Sequence, residues 1–310
     1  MIARALRWAV TLAVLAYSGW TLARAWGSLT LDWRAIAPAP IAAAALTGAA
    51  ALGVLAVVSA AGARAAGLGT PGRGFVVAWL RVWFQGYFYR YVPGKVALVV
   101  ERARLAEPLG VPRSASVMLV VWETLLLLAG AGAVGGALLV SLGSDGPVSG
   151  GAALGLAAAA IAGSLALGPG LGALADRYPA IAARVPGAVL RASPLAQVGL
   201  VLGNAIAWTL LGGSFAWVAA AMPGAAAPST QELVAWFVAS YVGGQLASAA
   251  PAGLGVREGL LVAGLAGVAP APVVLGWALA HRTVLSAVEL VLVGLVVVTI
   301  PISSPGRSPG

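Results

Sequence analysis

From Pro38 to Gly62, and again from Leu195 to Ala221, the chain carries no charged side chain. A run of about 20 mostly apolar residues is what a helix needs to cross the hydrocarbon of a bilayer. Lipid supplies no hydrogen bonds, so a spanning segment must satisfy its own backbone, and a helix does this within one segment. Runs of this kind recur at 5–23, 38–62, 75–92, 114–142, 149–168, 195–221, 231–250 and 271–301. The expectation is an all-α polytopic membrane protein with about eight transmembrane helices. Breakers punctuate the runs. Pro38 and Pro40 open the second, Ser144-Asp145-Gly146-Pro147 turns between the fourth and fifth, and Pro223-Gly224 with Pro228 separates the sixth from the seventh.

Composition supports lipid as the solvent. Of 310 residues, 61% are hydrophobic and only 9% are charged, where a soluble domain of this size carries about 25% charge. No polar block is long enough to fold separately, so residues 1–310 read as a single integral membrane domain. Arg4 and Arg7 ahead of the first run are signal-peptide grammar. With so many apolar segments behind it, that run reads as an uncleaved first span. The formal net charge is +9. The basic residues are spread between apolar runs, which argues against nucleic acid and for anionic lipid as the partner. The chain has no Cys and one His, His281, so neither a metal nor a cofactor is expected. No Ser-His-Asp set and no Walker lysine motif occurs, so the chain reads as no enzyme.

Two regions depart from a simple train of spans. In 169–194, Arg177, Arg184 and Arg191 fall seven apart, with Pro179, Pro186 and Pro194 interrupting. This is either an interfacial segment gripping anionic lipid or a positive-inside loop. Lys/Arg counting also fails to alternate, and the contradiction centres on 75–113.

The charges within the apolar body gather in two blocks, 81–124 and 241–289. In the first, Arg81, Gln85 and Arg90 interrupt an aromatic run, Pro93-Gly94-Lys95 breaks it, and a short segment with Glu101, Arg102 and Arg104 follows. The second breaks at Pro251-Ala252-Gly253, followed by Gly255 and by Arg257-Glu258. Each block reaches Gly-Val (Gly110-Val111, Gly267-Val268) and then enters a long span carrying charge, Glu123 in one, Arg282 and Glu289 in the other. The likeness reads as a weak internal repeat with broken or re-entrant segments near 93–110 and 251–267. Paired broken segments point to a transporter's binding site.

A helix starting inside the membrane offers free N–H groups and a positive dipole end. Arg90, Lys95, Arg102, Arg257 and Arg282 add full charges, and a guanidinium matches phosphate with two parallel hydrogen bonds. These five are the expected substrate-binding residues, and lipid phosphate is the expected ligand. Glu101, Glu123, Glu258 and Glu289 are expected to balance charge or carry protons. Arg282, Ser286 and Glu289 share one helix face at i, i+4 and i+7. A Glu123–Arg282 pair follows from their matching places in the repeat. It either serves the site or only fixes helix packing. His281 either relays protons or is an ordinary hydrogen-bonded residue.

Arg90-Tyr-Val-Pro-Gly-Lys95, Glu101-Arg102, Gly110-Val111 and Glu123 resemble the first motif block of the lysylphosphatidylglycerol synthase transmembrane-region family, also called the flippase-like domain family. Pro251-Ala-Gly-Leu-Gly-Val-Arg257-Glu258-Gly259, with Arg282 and Glu289, resembles the second, more specific block. The likeness covers about 75–295. It departs at Lys95, where the family often has a second Gly, so the shape of that break does not carry over. The resemblance implies a plasma-membrane, multi-pass domain that moves lipids across the bilayer. Its partner is a membrane lipid or lipid-linked sugar, with a glycosyltransferase or synthetase as a companion. The chain has no soluble synthetase domain after the spans, so it is not expected to make aminoacyl lipid. The expected function is a flippase or transporter of a phospholipid or a polyprenyl-phosphate-linked substrate. The alternative is a non-transporting membrane partner of a lipid-modifying synthetase or glycosyltransferase.

Overall fold

Proline sets where the long helices begin. Its fixed φ suits the first helical turn, and its missing N–H is one that no helix bonds there. In the computed structural model Pro38 opens α1 (Pro38–Ala65), Pro194 opens α5 (Pro194–Ala221), and Pro270 immediately precedes α8 (Ala271–Thr299). The other described helices are α2 (Arg73–Phe88), α3 (Val96–Ala106), α4 (Arg113–Leu142), α6 (Thr230–Leu246) and α7 (Val256–Gly264). The structure describes residues 35–69, 73–91, 96–143, 192–222, 228–246 and 255–301, with scattered residues between 149 and 178. The expected span 5–23, much of 149–168 and nearly all of 169–191 lie outside the described residues.

Every described element is helical. Four helices, α1, α4, α5 and α8, are long and apolar enough to cross a membrane. The expected span 75–92 is a shorter helix: α2 has 16 residues, so at a rise of about 1.5 Å per residue it reaches roughly 24 Å, short of the roughly 30 Å hydrocarbon core. The expected span 231–250 is described up to Leu246, where it forms α6. The described helices that follow, α3 and α7, have 11 and 9 residues, too short to span. Gly110, at φ 78°, turns the chain from α3 towards α4, in the left-handed region that favours Gly.

The α1 and α5 helices make the most extensive packing in the bundle, and α4 packs on both α5 and α6. At Gly130 of α4 the crossing is so close that a Cβ would lie 2.9 Å from the backbone N of Ala205 on α5. Among other glycines, Gly203 sits against Val58 of α1, while Gly199, Gly151 and Gly155 face open space. Trp208, Phe215, Trp236 and Trp277 fill the larger core, and Trp79, Leu119 and Trp122 fill a second core around α2, α3 and α4. The outside is apolar as well. Leu46 is 72% exposed, Leu195 82% and Val298 85%. Large aliphatic side chains turned outward on long helices make a lipid-facing surface.

Candidate functional site

A charge at the middle of a span costs roughly 2.5–3.5 kcal/mol on insertion scales, so the charges of α4 and α8 must find partners inside the bundle. Three ion pairs meet this need. Glu289 of α8, 3% exposed, pairs with Arg90, which lies in the 3-10 turn Tyr89–Tyr91 that ends α2. Arg282 of α8 reaches Glu258 of α7 at 3.3 Å. Arg102 of α3 binds Glu123 of α4. The shared face of Arg282, Ser286 and Glu289 therefore looks inward: the first two line a cavity, and the third is buried.

The Arg102–Glu123 pair is the centre of a hydrogen-bonded network, although Arg102 Nε, like Arg257 Nε, is buried without a hydrogen-bond partner. Arg102 Nη1 donates to Glu123 Oε2 at 2.5 Å, and Nη2 donates to Oε1 at 3.0 Å. Ser59 Oγ donates to Oε1 at 2.6 Å and accepts from Trp79 Nε1 at 2.9 Å. The bidentate geometry is the strong form of this contact. It joins α1, α2, α3 and α4. Gly86 of α2 leaves room for the Arg102 stem, which a Cβ there would strike. Glu123 is thus paired with Arg102 rather than with Arg282, which corrects the pairing expected from the repeat. The reason is local. The α3 helix folds back against α4 and brings Arg102 to Glu123.

At the second break Gly255 holds φ 82° just before α7. The Glu258 carboxylate accepts from the Gly255 backbone N–H at 2.8 Å, so it caps the helix as well as holding Arg282. Its neighbour Arg257 is different. The Arg257 guanidinium lies 3.9 Å from the centre of the Tyr241 ring and 5.7 Å from that of Phe237. Its Nε is buried without a hydrogen-bond partner. Among the described residues Arg257 makes no ion pair. A cation with aromatic faces and no carboxylate can still receive an anion.

Arg257 opens into a cavity with about 60 Å³ of water-sized space, bounded by α6, α7 and α8 and by Arg90, Arg282, Tyr241 and Ser286. A second cavity, with about 150 Å³, lies between Trp83, Tyr87, Trp208 and Asn204 and reaches the Arg102–Glu123 pair. Arg90, Tyr241 and Gln245 line both, so these side chains form the partition. Trp83 stacks on Tyr87 at 4.5 Å, Trp208 meets Tyr241 edge-on at 4.6 Å, and the Arg90 guanidinium sits 4.1 Å from the centre of the Tyr87 ring. Tyr87, Tyr241, Trp83, Trp208 and Gln245 are not among the residues expected from sequence. The signal for all but Trp208 was the mixing of aromatic and amide side chains in RVWFQGYFYRY and YVGGQ; Trp208 lies in the uncharged run 195–221 and carried none.

His281 is buried and closes a chain of hydrogen bonds. Ser214 Oγ donates to the Ala44 carbonyl at 2.8 Å and lies 3.2 Å from His281 Nε2. The hydroxyl proton is used on Ala44, so Nε2 is the protonated nitrogen and donates to Ser214. This chain ties α8, α5 and α1 together, and it matches the reading of His281 as an ordinary hydrogen-bonded residue. Glu101 pairs with Arg104 on the surface of α3. The structure brings together Arg90, Arg257, Arg282, Glu258 and Glu289, and it places Arg102 and Glu123 at the far side of the second cavity. Lys95, Pro93, Gly94, Pro251 and Gly253 lie outside the described residues. Comparison with protein-family models and with curated proteins finds no match for the chain.

Proposed function

We propose that the protein is a lipid flippase or lipid-linked-substrate transporter of the plasma membrane, built on two broken segments related by an internal repeat. The observation that carries this reading is Arg257, a guanidinium beside two other arginines that opens into a cavity and makes no ion pair among the described residues. In a lipid-embedded bundle a cation held this way is a receptor for an anion, and head-group phosphate is the anion at hand. The other charges of the bundle support the assignment. Arg102–Glu123 is a bidentate pair beside the second cavity, whereas Arg90–Glu289 and Arg282–Glu258 stand by the cavity that Arg257 enters and can exchange a carboxylate for phosphate. The carboxylates then balance the arginines whenever the site is empty. The motif likeness to the flippase-like domain family agrees with this assignment.

The test is head-group translocation in liposomes reconstituted with the full chain. Translocation by wild type and its loss in Arg257→Ala is the expected result. If wild-type protein moves no lipid, and Arg257→Ala behaves like wild type in cells, the reading fails. A non-transporting partner of a glycosyltransferase or synthetase then takes its place.

A further inference from the structure

Each charged block supplies an arginine that stands over a tyrosine. In the first block the Arg90 guanidinium lies 4.1 Å from the centre of the Tyr87 ring. In the second block the Arg257 guanidinium lies 3.9 Å from the centre of the Tyr241 ring. The two tyrosines meet at the partition, close enough to interact, and both border the second cavity. Their footing differs. Tyr87 stacks on Trp83, and the arginine above it is tied to Glu289. Tyr241 meets Trp208 edge-on and lies tilted to Phe237 at 6.1 Å, while Arg257 covers its face. Among the described residues, those lining both cavities are Arg90, Tyr241 and Gln245. Tyr241 and Gln245 are four apart on α6 and so share one face. The partition is therefore built of side chains, which turn between rotamers without unwinding a helix.

We infer that Tyr241 is the moving leaf of a gate between the two cavities, latched by Arg257 and released when phosphate takes that guanidinium. The inference rests on the transport reading above and deepens it, because it assigns how a bound head group leaves the first cavity for the second. A cation–π contact draws its strength from the charge of the cation acting on the ring quadrupole. An anion on Arg257 neutralises that charge and weakens the hold on Tyr241. Reciprocity then fixes a sign. If phosphate loosens the ring, the ring lowers the affinity for phosphate by the same factor. A ring that only orients Arg257 does the reverse, since it pre-sets the guanidinium and favours binding. The latch and the orienting platform thus predict opposite effects when the ring is removed.

Two measurements on the full chain in detergent test this, both with dihexanoyl phosphatidylglycerol as the probe. In the first, its affinity is measured for wild type, Tyr241→Phe and Tyr241→Leu. Tyr241→Phe keeps a ring and is expected to bind as wild type does. Tyr241→Leu keeps bulk but has no quadrupole, and is expected to bind about three- to tenfold tighter. Unchanged or weaker binding by folded Tyr241→Leu overturns the latch. The second measurement follows the ring itself and holds even if that variant fails to fold. Wild-type protein is labelled with fluorotyrosine, and the fluorine resonance of Tyr241 is assigned by its loss in Tyr241→Phe. That resonance is expected to shift as the lipid binds, and one that stays in place at saturation overturns the inference. Liposome translocation is measured separately. A responsive Tyr241 without translocation removes the transport reading and leaves the phosphate-released latch standing. Translocation with an unresponsive Tyr241 does the opposite, and a wild type that does not bind the probe removes both.

Discussion

Arg90 and Glu289 lie 199 residues apart in sequence and form an ion pair inside the bundle. One sits in the turn that ends α2 and the other in the middle of α8, so this contact closes the front of the site. It also sets the partition between the two cavities, because Arg90 lines both. Breaking a buried pair from one side leaves a charge without compensation, at a cost of about 3–5 kcal/mol. Glu289→Gln is therefore expected to lower thermal stability in detergent sharply. The double variant Arg90→Gln with Glu289→Gln should recover much of the loss. Equal losses in the single and double variants would show that the pair does not act as a unit.

The Arg102–Glu123 network predicts a different pattern. Glu123→Ala strands a buried guanidinium and should cost about 3–5 kcal/mol. Ser59→Ala removes the acceptor for the Trp79 indole N–H and should cost about 1–3 kcal/mol. A double-mutant cycle between Ser59 and Glu123 should return a coupling on the order of 1 kcal/mol, since both share one set of hydrogen bonds. Lipid selectivity should stay unchanged in any Ser59 variant that remains folded.

The α4–α5 crossing separates essential from incidental glycines. Gly130→Ala brings a Cβ against the backbone of Ala205 and is expected to destabilise by about 1–3 kcal/mol. Gly199→Ala meets nothing within 4 Å and should be neutral or slightly stabilising, as Ala is the better helix former. Thermal unfolding of the two variants side by side checks this, and an equal effect would contradict the packing described.

Ser214 is the hinge of the His281 chain. Ser214→Ala leaves the buried His281 N–H without its acceptor and should cost about 1–3 kcal/mol. Ser214→Thr keeps the hydroxyl and should cost less on the hydrogen-bond side. If His281 instead moved protons in transport, a folded His281→Asn would abolish translocation while keeping lipid binding. The hydrogen-bond arrangement predicts that such a variant still translocates.

Much of the framework was legible in the residues. The expected spans 38–62, 114–142, 195–221 and 271–301 match α1, α4, α5 and α8 within about three residues at each end. They were legible because proline marks or adjoins the start of each and because an apolar run in lipid has no fold except one that satisfies its own backbone. The failure of the Lys/Arg count over 75–113 also had a physical source. The α2 helix is short and leads to a charged helix too short to span. The inward face of α8 was legible too, from the seven-residue reach of Arg282, Ser286 and Glu289.

The choice of partners was not. Likeness between the two blocks pointed to Glu123 with Arg282, but α3 lies against α4 and brings Arg102 to Glu123 first. The aromatic partition of Tyr87 and Tyr241 also joins residues from helices far apart in the chain. The amino-acid sequence alone determined that this chain is helical and apolar, with long runs able to cross a membrane. Helix formation is a local matter of backbone hydrogen bonds and side-chain transfer into lipid. Only the tertiary structure decided which carboxylate neutralises which arginine, and that Arg257 makes no ion pair among the described residues. An ion pair depends on the rotation and approach of whole helices, and those are set by packing between helices at places such as Gly130 and Gly86.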